Sequence, residues 1–236
     1  MNHVTIHIKN LCKTFKQPKH TITVLDHLDF QGFDSESAAI IGQSGSGKST
    51  FLSLIAGLDD ADSGEIILLD QSLQSMDTTQ RALFRRDHIG MIFQEFHLMD
   101  HLSAQENVAL ALEIAQTRTQ PQKMSKASIA SLSLQALADV GLADRCHHLP
   151  SELSGGEKQR VAIARAFVTQ PKILIADEPS GNLDPDTGEG VMEILWKLVK
   201  KRHMTLILVT HNPLLAKKCH KIYTLKKGKL VSSSDV

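Results

Sequence analysis

Apolar residues in this chain fall into short runs broken by polar and glycine-containing segments, and each run's length and spacing predicts an element. Val4-Thr5-Ile6-His7-Ile8 alternates, as a half-buried strand does. Ile22–Leu25 and Leu28–Phe30 read as further strands of an antiparallel edge, with Phe15 between in the polar loop Lys13–Pro18. Ala38–Ile41 is a continuous apolar run of the kind a buried parallel strand shows. Phe51–Ala56 opens a helix, Ser63-Gly64-Glu65 reads as a turn, and Ile66–Leu69 as a strand. Thr78–Asp87 has helical spacing with Asp77 as its cap, and Ile89–Gln94 is a strand ending in glutamine.

The pattern changes after Gln94. From Ser103 to Val140 it is helical, with Leu110, Leu112, Leu132, Leu134 and Leu137 as expected core points. Thr117–Lys126, which includes Pro121, reads as a connection between helices. Leu153 opens Leu-Ser-Gly-Gly-Glu-Lys-Gln-Arg, followed by a helix to about Val168. Lys172–Glu178 is an apolar strand ending in two carboxylates, 187–202 a helix, and Thr205–His211 a buried strand with histidine at its end. Ile222–Leu225 and the Lys227-Gly228-Lys229 turn predict a final hairpin. Strands alternating with helices make the fold α/β, and the stretch after Gln94 is the candidate insertion.

At 236 residues the chain has room for one large α/β domain, or a core with a smaller insertion. Lysine plus arginine and aspartate plus glutamate both number 26, so no global charge favours nucleic acid or an anionic surface as the main partner. Cys12, Cys146 and Cys219 are far apart and odd in number, which fits reduced packing residues better than a disulfide framework or a zinc site. His147-His148 reads as a polar loop. The opening residues Met1–Ile6 carry no signal-peptide pattern, and no apolar run is long enough to span a bilayer. Any membrane role would run through a partner.

Chemistry centres on Gly42-Gln43-Ser44-Gly45-Ser46-Gly47-Lys48-Ser49-Thr50, which fits the phosphate-loop pattern between a strand and a helix. The glycines let backbone N–H groups approach phosphate oxygens, and the helix N-terminus adds unsatisfied donors. Lys48 would reach the β- and γ-phosphates, and the Ser49 hydroxyl would bind magnesium. A chance match to the loop pattern arises in on the order of one in a hundred chains this long, and the flanking strand and helix lower that further. Asp177 ends its strand as a magnesium-side carboxylate would. Glu178 can orient or polarise an attacking water, and His211 can contact the γ-phosphate. A lone histidine after a strand is more often ordinary. Three strand-end polar groups on the edge where the phosphate loop opens favour function. Phe15 is either a core anchor or a stacking platform for adenine.

Leu153-Ser154-Gly155-Gly156-Glu157 resembles the signature sequence of ATP-binding-cassette ATPases. The family's other marks occur in its order: the phosphate loop, Gln94, Asp177 with Glu178, Ser180-Gly181-Asn182-Leu183-Asp184, and His211. Phe15 matches the adenine-stacking position. The resemblance spans essentially the whole chain. It implies a P-loop NTPase core with an antiparallel β edge, formed by 1–94 and 161–236, and an inserted α-helical subdomain over 95–160. It implies ATP and magnesium as cofactors, with Ser49, Gln94 and Asp177 on the metal. Lys48, Gln94, Glu178 and His211 would be catalytic, and Phe15, Gly42–Thr50 and Asp184 would bind nucleotide. It further implies a head-to-tail homodimer in which Ser154, Gly155 and Gly156 of one copy cap the phosphates held by the other. A membrane permease on the cytoplasmic face of the inner membrane would be the partner. Phe15 stands where tyrosine is commoner, Asp34-Ser35-Glu36 replaces Pro-Gly-Glu, Lys158 follows the signature where glutamine or arginine is usual, and Ser180 replaces threonine. None of these removes a catalytic group.

Gly57-Leu58-Asp59, Gln105-Glu106-Asn107-Val108, Pro150-Ser151-Glu152-Leu153 and Pro179-Ser180-Gly181-Asn182-Leu183-Asp184 look like the lipoprotein-release and macrolide-export subgroup, to which cell-division and uncharacterised exporter ATPases also belong and whose permeases often transmit mechanical work. A soluble cassette ATPase acting on nucleic acid or ribosomes is the competing reading. The short insertion, single cassette and balanced charge disfavour it, and a salt-sensitive binding assay would discriminate. A non-hydrolysing ATP switch is a third reading, which Glu178 and His211 oppose.

Overall fold

The computed structural model describes residues 3–18, 21–116 and 124–232. Its elements begin β1 (Val4–Lys16), β2 (Thr21–Phe33), β3 (Ser37–Ile41), α1 (Lys48–Ile55), β4 (Ser63–Leu68), β5 (Gln71–Ser72), α2 (Thr78–His88), β6 (Ile89–Ile92) and α3 (Ala104–Ala115). They continue α4 (Lys126–Asp139), α5 (Gly155–Phe167), β7 (Ile173–Asp177), α6 (Pro185–Lys201), β8 (Thr205–Val209), α7 (Pro213–Ala216), β9 (Lys221–Lys226) and β10 (Lys229–Ser232). Among the described residues no helix is long and apolar enough to cross a membrane.

The chain packs as two units. The first comprises the described residues of Met1–Arg85, Ile175–Glu178 and His203–Val236. Here β2-β1-β4-β5 form an antiparallel sheet, and a second sheet runs β10-β9-β3-β8-β7. β3 is parallel to both β8 and β9. Every residue of β8 is buried, as are Ala38, Ala39 and Ile40 of β3, which is why these strands read as apolar runs rather than alternating ones. Fully burying each leucine, isoleucine or valine among them contributes about 1.5–3 kcal/mol.

Two local expectations change here. The segment around Phe15 is strand, not loop: β1 continues to Lys16, and Phe15 pairs with Ile22 across the ladder. Polar composition misled because both faces of that end are solvated; Phe15 itself is 43% exposed. Ser63-Gly64-Glu65 also lies in a strand, at a point where the β1–β4 register slips between Lys9 and Cys12. The unusual Asp34-Ser35-Glu36 turn still closes. Ser35 adopts a φ of +60°, and the Glu36 N–H donates to the Phe33 carbonyl at 3.1 Å.

The second unit comprises Arg86–Leu174 and Pro179–Arg202, with 117–123 outside the described residues. The connection expected at Thr117–Lys126 therefore falls largely there. Its last residue, Lys126, begins α4, which Ser125 caps by accepting from the Ser128 N–H. α3, α4 and α5 pack together, and α5 also packs on α6. On α4 the buried positions are Ile129, Ser133, Ala136 and Leu137, followed by Val140, a helical stripe at i, i+4, i+7, i+8 and i+11. Leu112 and Leu137 are core as expected. Leu132 and Leu134 lie off that stripe and are exposed, and Leu110 is only part-buried. Arg202, just past α6, donates to the Phe167 carbonyl at 3.2 Å and pairs with Asp139 at 3.4 Å, tying three helices at one end.

Buried Asn107 of α3 fixes the approach to that helix. Its Oδ1 accepts from the Met99 N–H at 2.8 Å, and its Nδ2 lies 2.9–3.1 Å from the carbonyls of Met99, Leu102 and Ser103. From α5, Gln159 donates to the Phe93 carbonyl at 3.2 Å, and Arg165 donates to the carbonyls of Phe96 and His97. One helix thus holds the 93–97 segment at both ends.

Candidate active site

In the first unit the glycine loop joins the end of β3 to the start of α1. Gly47 is the N-cap residue with φ +103°, and a Cβ there would meet Val24 Cγ1 at 2.7 Å. Glycine is required by both the backbone and the neighbouring β2. α1 has no side-chain cap and no acidic residue in its first turn. In contrast, Ser103, Ser125, Ser154 and Asp184 cap the four longer helices α3, α4, α5 and α6. Among the described residues no side chain caps the first N–H groups of α1, the condition for anion binding. The Ser46 hydroxyl is buried in the same loop without a hydrogen-bond partner. Lys48 is buried, and its Nζ donates to the Gly42 and Gln43 carbonyls, each at 2.9 Å. These bonds hold its charge over the loop.

Three strand ends meet the loop at one edge. Thr210 N–H donates to the Ile40 carbonyl at 3.3 Å, and Glu178 N–H to the Val209 carbonyl at 2.9 Å, which sets the ends of β3, β8 and β7 side by side. Ser49 Oγ donates to Asp177 Oδ2 at 3.3 Å. Burial pushes the Asp177 carboxyl above its usual range; the Ser49 bond and Lys48 pull it down, while the Glu178 charge adds to the rise. A hydroxyl and one carboxylate, with further oxygens left to water or phosphate, is a donor set that suits magnesium.

Glu178 adopts φ +45°. A non-glycine residue there carries about 1–2 kcal/mol of backbone strain. That backbone turns its carboxylate onto His211 Nδ1, with which it pairs. A carboxylate can only accept, so Nδ1 is the donor and Nε2 remains for another partner. His211 lies past the end of β8 with its side chain 69% exposed, whereas Glu178 is only 18% exposed. Phe15 stands outside this cluster, on the β1–β2 ladder, with Lys13 Nζ 5.2 Å from its ring centre.

The remaining expected residues lie in the second unit. Ser154 caps α5 in a reciprocal box: its Oγ accepts from the Glu157 N–H at 3.3 Å, and its own N–H donates to Glu157 Oε2 at 2.8 Å. That bond, more than the nearby Arg145, holds the Glu157 carboxyl below its usual range. The Ser154 hydroxyl also bonds to the Glu157 carboxylate, while the Gly155 and Gly156 N–H groups, at the start of the helix, have no partner within it. Asp184 caps α6, accepting from the Thr187 N–H at 3.0 Å, which lowers its carboxyl. Gln94 exchanges hydrogen bonds with Asn182. The structure therefore gathers Gly42–Thr50, Asp177, Glu178 and His211 in one unit, and Gln94, Ser154–Gly156 and Asp184 in the other. Sequence reading did not reach Asn182 as a partner of Gln94, Gln159 and Arg165 as the grip on 93–97, or the left-handed Glu178. Their partners are too distant in sequence for spacing to reveal them.

An uncompeted helix N-terminus, a lysine held over its loop and a magnesium-type donor pair define a P-loop nucleotide-binding protein. A family model described as ABC transporter matches residues 25–181. The chain is 42% identical over 226 residues to the uncharacterized ABC transporter ATP-binding protein YbbA of Escherichia coli, covering 95% of this chain and 96% of that protein. It is also 42% identical over 223 residues to the lipoprotein-releasing system ATP-binding protein LolD of Treponema denticola, covering 94% and 96%. Among solved structures, the ATP-binding cassette MJ0796, dimeric and bound to ADP and Pi, superposes with a TM-score of 0.86 at 36% identity, covering 95% of this chain and 96% of that one. The chain belongs to the ABC transporter family, as an ATP-binding subunit that hydrolyses ATP.

Proposed function

We propose that this ATPase drives a membrane permease of the lipoprotein-release and macrolide-export kind, transmitting mechanical work rather than passing substrate through a pore. The reading rests on the likeness to the lipoprotein-releasing ATPase and on the subgroup motifs 105–108 and 150–153. The chain would sit on the cytoplasmic face of the membrane through its permease. Two copies would associate head-to-tail, with Ser154, Gly155 and Gly156 of each capping phosphates held by the other's Gly42–Thr50 loop. Residues 95–160 would act as the signature-bearing subdomain on the core of 1–94 and 161–236.

Within each site, Phe15 stacks adenine, Gly42–Thr50 wraps the phosphates, and Lys48 neutralises the β- and γ-oxygens. Ser49, Gln94 and Asp177 would hold magnesium. Bound there, the ion offsets charge on the phosphate oxygens. Asp184, already the α6 cap, would add to the nucleotide-binding residues. Glu178 orients the attacking water and accepts its proton. His211, steered by the Nδ1–carboxylate pair, would meet the γ-phosphate with its Nε2 edge, which donates there when the ring carries both protons.

The observation that carries this assignment is the strained Glu178 backbone that brings its carboxylate to His211. Glu178→Gln preserves shape and removes the base. It should bind ATP normally and lose turnover by about 100-fold or more, the range for a general base. Retention of more than about a tenth of wild-type turnover would overturn the assignment.

A further inference from the structure

Gln94 and Asn182 are joined by two hydrogen bonds, one donated each way, whose donors and acceptors cannot be interchanged. Asn182 Nδ2 donates to the Gln94 main-chain carbonyl at 3.2 Å, and Gln94 Nε2 donates to Asn182 Oδ1 at 2.9 Å. An amide side chain can often be turned over without changing its contacts, but not here. A main-chain carbonyl only accepts, so the atom of Asn182 facing it must be Nδ2. Oδ1 is then the other branch of the Asn182 amide and needs a donor, and Gln94 can supply one only by presenting Nε2. Gln94 Oε1, on the opposite branch of its own amide, is thereby turned away from Asn182. Gly181 makes room for this arrangement: a Cβ there would come within 3.1 Å of Gln94 Nε2 and 3.2 Å of Cδ.

We infer that Asn182 is a positioning residue that fixes which end of the Gln94 amide is presented to magnesium. The inference rests on the proposed role of Gln94 as a metal ligand, and it extends that role to a residue with no ligand contact of its own. A cation is bound by an amide oxygen and repelled by an amide N–H₂. A glutamine free to turn over would offer the wrong atom for part of the time. Asn182 removes that alternative through a main-chain carbonyl that cannot change its character.

The test measures Mn2+ affinity, as a magnesium surrogate, on the full chain saturated with a non-hydrolysable ATP analogue. Free ion is read by electron paramagnetic resonance, and analogue affinity is measured separately in EDTA. Asn182→Ala should weaken Mn2+ binding about 2- to 10-fold, the range one neutral hydrogen bond sets, and leave metal-free analogue binding unchanged. Gln94→Ala should weaken Mn2+ at least as much, and the double variant no further. In a Gln94→Glu background both oxygens accept, so adding Asn182→Ala should not weaken Mn2+. Asn182→Ser, too short to make both bonds, replaces Asn182→Ala if that variant does not fold. If Gln94→Ala weakens Mn2+ and Asn182→Ala does not, the positioning role is overturned. It is overturned equally if Asn182→Ala weakens analogue binding to the same extent in EDTA, or weakens Mn2+ in the Gln94→Glu background. If Gln94→Ala itself leaves Mn2+ unaffected, the metal-ligand reading of Gln94 fails, and this inference with it.

Discussion

Substituting Gly156 perturbs the protein's own packing before it can affect any partner. Gly156 is the second residue of α5, and a Cβ built on it would lie 2.3 Å from Thr187 Cγ2 on α6. Carbon atoms in contact prefer about 3.5–4.0 Å, so more than an ångström must be found. Thr187 cannot yield it cheaply. It is β-branched, and both its N–H and its hydroxyl bond to Asp184. Overpacking of this kind costs about 1–3 kcal/mol, set against a gain of up to about 1 kcal/mol for replacing a helical glycine by alanine. Gly156→Ala should therefore destabilise by about 1–2 kcal/mol. Thr187→Ser keeps the hydroxyl and deletes Cγ2. The next atom of Thr187 is then its Cβ, at 3.8 Å from the built position, an ordinary contact. In that background Gly156→Ala should become neutral or slightly stabilising. Urea unfolding of the four proteins gives a coupling energy directly, expected at about 1–3 kcal/mol. Equal effects of Gly156→Ala in the two backgrounds would refute the claim that this glycine is fixed by α6.

The head-to-tail arrangement is best probed with that clash removed. A Gly156→Asp, Thr187→Ser subunit should bind ATP at its own loop yet fail to turn over as a homodimer, because its carboxylate faces the partner's γ-phosphate. Turnover equal to that of Thr187→Ser alone, measured with the permease present, would end the trans reading. Mixing it with a Lys48→Ala subunit, which should hold nucleotide weakly, puts both lesions in one site and leaves the other intact, so bound ATP should approach one per mixed dimer. Phe96, in the segment that α5 holds, and Leu98, just after it, are part-buried. Replacing both by polar residues should abolish co-purification with the permease while the melting temperature moves by only a few degrees; undiminished co-purification refutes a docking role for this segment.

What the sequence made legible follows from distance along the chain. The β3–loop–α1 unit is contiguous, so its strand, glycines and lysine could be read directly. Asp177 and Glu178 were legible because apolar strands end abruptly in charge. Phe15 reads as loop because a strand solvated on both faces has no periodicity to detect. Leu132 and Leu134 read as core because leucine is usually buried, but the α4 stripe is set by Ile129, Ser133, Ala136 and Leu137, two of which are small or polar. The Glu178 backbone leaves no trace in composition. The Gln94–Asn182 pair joins residues 88 apart in sequence, beyond any local pattern.

The grip of α5 on the 93–97 segment has a mechanical consequence. Gln159 and Arg165 fasten that segment to the helix whose first residues follow Ser154. From Ser154 to Arg165 the helix rises about 16 Å, and three turns of hydrogen-bonded backbone neither stretch nor bend appreciably. The Phe93–His97 stretch and the Ser154 hydroxyl are two stations on one rod. A push on the first is delivered to the second as displacement rather than absorbed as deformation, and a pull on Ser154 returns along the same path.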